Sequence, residues 1–146
     1  TDAEAGDDGG NSDTPADPEA DREAYSTARG KLLERDFDAA ATAFEAYLKD
    51  FPQGQFRAHA HFWLGEVYSN QKTPQLDNAR KQFQTVVDDY PNHSRAPTSL
   101  YKLASLQAKA GNTSEAEVSL HKLIKQFPDA SEAEMAKAML KQLNGD

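Results

Sequence analysis

Three aromatic-proline pairs punctuate this chain: Phe51-Pro52, Tyr90-Pro91 and Phe127-Pro128. Proline cannot continue a helix, and it pushes the residue before it away from helical backbone angles. The intervals between the prolines, 39 and then 37 residues, fall in the window of stacked helical repeats. A chain stopped at such intervals builds similar units, each burying its apolar face against a neighbour. Between the stops the apolar residues recur with helical rather than alternating period. Tyr25, Ala28, Leu32 and Leu33 mark a first helix that ends at the Arg35-Asp36 corner. Phe37, Ala40, Phe44, Tyr47 and Leu48 mark a second, which Asp36 or Asp38 can cap. A third runs over roughly 55 to 70. Thr73-Pro74 reads as an N-cap and first-turn proline for a fourth, and Pro97 is tolerable in the first turn of a fifth that ends at Gly111-Asn112. Ser114 with Glu117, and Ser131 with Glu134, have capping-box spacing for the last two. The expectation is seven helices and no strand.

Counting back from each proline places small residues at equivalent positions: Ala28, Gly65 and Ala104, then Ala40, Ala79 and Ala116. Large apolar residues follow at Phe44, Phe83 and Leu120. Small residues let the two helices of a hairpin approach, and the large one fills the space between hairpins. Gly65 makes the point best, because a mid-helix glycine costs about 1 kcal/mol against alanine and needs a close neighbour to account for it. The pattern is that of the tetratricopeptide repeat. The fold expected is all-α: a solenoid of three helical hairpins (about 22–54, 55–93 and 94–130) closed by a capping helix over 131–143.

Residues 1–21 are different. They contain eight acids, no Lys or Arg, no aromatic and no branched aliphatic residue, and read as a disordered acidic linker. Removing those eight from the 24 acids of the chain leaves 16, against 16 Lys and Arg, all of which lie in 22–146. The body is formally neutral, which argues against nucleic acid as a partner. No apolar run is long enough to insert in a bilayer. The chain has no cysteine, and its Thr1 start suggests a processed or truncated piece.

The chemistry points to binding. Four histidines invite a metal reading, but His59 and His61 point about 200° apart around a helix, and the others lie elsewhere. No nucleophile elbow or phosphate-binding glycine loop is present. The expectation is no metal, no cofactor and no enzymatic activity. Stacked hairpins leave a concave groove lined by the first helix of each pair. The repeat register puts Tyr25, Arg29, His59, Phe62, Trp63, Glu66, Tyr101 and Ser105 there as candidate partner-binding residues. Tyr25, Phe62 and Tyr101 recur as an aromatic stripe, which serves either packing or recognition. A carboxylate clamp is not supported, because Ser26, Trp63 and Lys102 occupy the positions that would supply it.

The segment 62–68 (Phe-Trp-Leu-Gly-Glu-Val-Tyr), Ala79 through Phe83 to Tyr90-Pro91, Ala96-Pro97 with Leu100 and Leu103, and Leu123-Ile124 to Phe127-Pro128 together resemble the C-terminal domain of the Tol-Pal system YbgF (CpoB) family, over about residues 23–143. The resemblance implies a periplasmic adaptor of a Gram-negative bacterium that binds TolA. Such an adaptor helps coordinate outer-membrane constriction with peptidoglycan synthesis in cell division, through a bifunctional penicillin-binding protein. It also implies a trimer formed by an N-terminal coiled coil, which this chain lacks, so that the fragment itself is expected to be monomeric. The alternative is a structural scaffold subunit of another envelope assembly, such as an outer-membrane-protein insertion complex.

Overall fold

The computed structural model describes residues 17–145. Seven α-helices follow one another: α1 Pro18–Leu33, α2 Phe37–Asp50, α3 Arg57–Asn70, α4 Leu76–Asp89, α5 Ala96–Lys109, α6 Thr113–Gln126 and α7 Ser131–Leu143. No strand occurs among the described residues. Each helix packs on the next, and α5 also touches α7. Side-chain bonds from α3 to α1, from α5 to α3 and from α5 to α7 set the odd-numbered helices side by side. This is the helical solenoid that the repeat pattern implies.

The aromatic-proline stops work as the backbone rules require. Phe51, Tyr90 and Phe127 are the C-caps of α2, α4 and α6, with φ near −130° and ψ between 53° and 71°. Each still donates its N–H to the carbonyl four residues back before the chain leaves the helix. The turns inside the first and third hairpins are also alike. Arg35 (φ 62°) and Gly111 (φ 87°) both take left-handed angles. The next residue in each, Asp36 or Asn112, donates its N–H to the carbonyl of Lys31 or Gln107, the long bond of a Schellman turn.

The small positions prove to be contact points. Ala28, Ala40, Ala79, Ala104 and Ala116 are fully buried, as are Phe44, Phe83 and Leu120. A Cβ built on Gly65 would lie 2.6 Å from the Phe83 ring, inside contact distance.

Several boundaries differ from the sequence expectation. The acidic composition carries the expected linker to residue 21, yet α1 starts at Pro18, with Asp17 as its N-cap. The physical reason is Asp21, which is completely buried. Its carboxylate accepts from the Tyr47 hydroxyl at 2.5 Å and from the Gln55 N–H at 2.8 Å. The remainder of that linker, residues 1–16, lies outside the described residues. Burial and then the Asp21 hydrogen bond push the Tyr47 hydroxyl above its ordinary pKa of 10.0, so it remains a donor. Tyr47 in turn accepts from the Phe56 N–H, and Arg57 donates to the last-turn carbonyls of Leu48 and Phe51. Thr73-Pro74 does not open α4; the connection continues to Gln75, whose N–H is held by the Tyr68 carbonyl. Ser114 and Ser131 sit inside their helices rather than at the caps. Glu134 pairs with Lys137 instead of closing a capping box. Of the capping expectations, Asp36 holds: it accepts from the Ala39 N–H at 3.1 Å.

Two stability changes follow from this geometry. Gly65→Ala drives a methyl group into the Phe83 ring; overpacking of about 1–3 kcal/mol outweighs a helix-propensity gain of about 1 kcal/mol. The midpoint of thermal unfolding, followed by circular dichroism, falls by several degrees. Arg35→Gly relieves a left-handed non-glycine residue, and the same measurement rises by the equivalent of about 1 kcal/mol.

Candidate functional site

The odd-numbered helices present the face on which the sequence placed the binding residues. α3 lies at its centre, and its composition reflects this: Ala58, Ala60, Phe62, Leu64, Gly65, Val67 and Tyr68 are all buried. A helix apolar on almost every side has neighbours on almost every side. Phe62 is therefore not a groove residue. It is 2% exposed, packs edge-on to Phe83 with ring centres 5.8 Å apart, and lies beneath the Arg95 guanidinium at 4.7 Å. The repeat register gives its direction but not its cover, which the Phe83 ring and the Arg95 guanidinium supply.

The other candidates are part-buried and fall into two groups. Tyr25, Arg29, His59 and Trp63 come together. Tyr25 stacks on Phe56 with 4.6 Å between ring centres and accepts the Trp63 indole N–H at 3.1 Å. Arg29 lies 4.9 Å from the centre of the Trp63 ring, and Arg95 reaches the same ring at 5.0 Å. His59 meets His93 edge-on at 4.4 Å. Arg95 and His93 were missed in the sequence. Both lie in the connection before α5, and the stacking of the third hairpin on the second brings Arg95 to Trp63 and His93 to His59.

Glu66, Tyr101 and Ser105 form the second group. They line an open cavity of about 360 Å³ between α3, α5 and α7, together with Phe83, Lys102, Leu106 and Met135. Lys102 pairs with Glu66 at 3.0 Å across α5 and α3, and Thr98 donates to Glu132 at 2.6 Å across α5 and α7. Met135 is 45% exposed at this cavity, a large apolar side chain left uncovered. A larger cavity, about 720 Å³, lies among α4, α5 and α6, lined mainly by polar and charged side chains such as Arg80, Gln84 and Glu115. The first offers an apolar floor with polar edges, the usual form of a peptide anchor site.

Among the described residues no group of three or more His, Cys, Asp or Glu could hold a metal ion, and no helix is long and apolar enough to cross a membrane.

The sequence family described as YfiO, outer membrane lipoprotein, matches residues 17–145, and the chain belongs to that family. Two curated proteins from Pseudomonas putida, each named Cell division coordinator CpoB, are 39% identical to the chain over 56 residues. That match takes in 38% of this chain and only 21% of either relative. The chain is thus similar to proteins of that name over part of its length.

The histidines give this region a pH dependence. His59, His61 and His93 are each held below the ordinary value of 6.5, chiefly by burial. His61 donates from Nδ1 to Gln82 at 2.7 Å, and His93 Nδ1 accepts the Arg95 N–H at 3.0 Å. With folded pKa values below the unfolded one, the unfolded chain takes up protons first. Stability is full above about pH 6.5 and is lost as pH falls below it. The urea midpoint is expected to fall between pH 7.5 and 5.5, roughly one unit either side of that value. The fall should be smaller in the His59→Gln, His61→Gln, His93→Gln triple variant.

Proposed function

We propose that this chain is a non-enzymatic adaptor whose odd-helix face receives a segment of a partner protein, and that the partner is TolA of the Tol-Pal system. The observation that carries this reading is the open cavity between α3, α5 and α7, where Tyr101, Leu106 and the uncovered Met135 give apolar footing beside Glu66 and Lys102. Apolar and aromatic anchors ringed by polar groups are the usual energetic centre of a protein interface. The partial likeness to proteins named cell division coordinator supports a role in division, and with it a place in the periplasm. A link to a bifunctional penicillin-binding protein belongs to the same reading.

A second reading has an observation of its own. The YfiO family covers residues 17–145, a far longer stretch than the 56 residues shared with CpoB. A structural subunit of an assembly at the outer membrane is the function this family membership favours.

Binding of purified TolA fragments to the chain separates the two. For the adaptor, Tyr101→Ala and Met135→Ser each weaken capture by about tenfold or more, as expected when an interface anchor is truncated. Val118→Ser, at an exposed residue of α6, leaves capture unchanged. Absence of any TolA binding, together with co-purification of the chain with a membrane-embedded complex, would establish the second reading instead.

A further inference from the structure

Arg29 and Arg95 come from α1 and from the connection before α5, yet both guanidinium groups lie against Trp63. Each is within 5.0 Å of the ring centre, which puts them at most about 10 Å from each other. Neither has a carboxylate partner among the described residues. The Nε of Arg29 is buried with no hydrogen-bond acceptor among the described residues. His59 and His93 add two more ring nitrogen systems to the same patch, and the nearby Glu66 is taken by Lys102.

Among the described residues the two arginines thus share one indole and have no carboxylate to neutralise them. Like charges at this separation repel by about 1–2 kcal/mol at the effective dielectric of a protein surface. The indole face offsets part of that repulsion through cation–π attraction. It cannot accept the guanidinium hydrogen bonds, for which a carboxylate is the matching acceptor.

We propose that this cluster is a carboxylate-recognition site, and that its ligand is an acidic segment of the partner protein. The inference rests on the reading that this face receives a partner. Trp63 stands one turn before Glu66 on α3, and Glu66 lines the Tyr101–Met135 cavity. A peptide lying along the face thus meets the arginines at one end and the apolar cavity at the other. Continuity with that cavity, and the aromatic walls supplied by Tyr25 and Trp63, favour a peptide over a small free anion.

Trp63 is the chain's single tryptophan, so its emission reports on this site directly. Titrating the full chain with acetylated, amidated pentaglutamate, at about 50 mM salt where screening is weak, is expected to give a saturable change in emission. The matching pentaglutamine gives none. Arg29→Gln and Arg95→Gln each weaken pentaglutamate binding by at least about tenfold, through loss of one charge-assisted contact. Lys137→Gln, at an exposed residue of α7, leaves it unchanged. No saturable response, an equal response to pentaglutamine or to acetate at matched carboxylate concentration, or wild-type binding by both arginine variants with native circular dichroism would overturn the proposal. So would the outcome in which exchanging Asp2, Glu4, Asp7, Asp8 and Asp13 for their amides shifts Trp63 emission by itself and only then admits the peptide; the site would then belong to this chain's own acidic stretch. TolA capture through Tyr101 and Met135 is read separately, so either result can fail while the other stands.

Discussion

The stack depends on how closely two helices approach where Gly65 faces Phe83. Helix packing at that distance leaves no room for a Cβ. A fully buried aromatic ring is thereby seated in the wall of the neighbouring helix. Because α3 carries the glycine and α4 the ring, the second hairpin closes tightly. Its outer surfaces are then placed to receive α2 on one side and α5 on the other. The alanines at the corresponding positions of the first and third hairpins do the same work with looser tolerances, since a methyl group still fits there. The hairpin whose contact requires a glycine is the central one, which has a neighbour on each side.

Much of this architecture was legible in the residues. Proline acts on the backbone of its own neighbourhood, so the three stops could be located without any tertiary information. The small and large positions were also legible, because volume at a helix crossing shows up as residue type. The capping expectations fared worse. A Ser and a Glu three apart satisfy a spacing rule, but where a helix starts is set by the preceding turn. The left-handed Gly111 delivers the chain into α6 before Ser114 is reached. Asp21 defeated a compositional boundary for a different reason. An acid inside an acidic run looks solvated until its partners, Tyr47 and the Gln55 amide, are known, and both lie more than 25 residues on.

The candidate site shows the same division. Tyr25, Arg29, His59 and Trp63 follow from helical spacing and do come together. Phe62 shares their spacing but lies on a helix surrounded by others, where facing the groove and facing a neighbour are not alternatives. Arg95 is invisible to periodicity, because it belongs to a connection rather than a helix face. The electrostatics of the face are likewise not those of the composition. The chain is acidic as a whole, yet positive charge without a carboxylate partner among the described residues gathers at Trp63, because the solenoid sorts side chains by face regardless of their totals.

The two ends of the stack are held by different physics. At the first hairpin, the buried Asp21 carboxylate, the Tyr47 hydroxyl and the Arg57 guanidinium tie α1, α2 and the entry to α3 into one hydrogen-bonded unit. At the other end, α7 rests on α6 and α5 through buried Ala133 and Ala136 and half-buried Met139, Leu140 and Leu143, with one cross-helix side-chain hydrogen bond among the described residues, at Glu132. In a nearly one-dimensional array each unit draws its stability from its neighbours, and opening begins where the terminal coupling is weakest. The described stack therefore has a direction as well as a sequence: local opening comes more readily at α7 than at the hairpin that carries the buried acid.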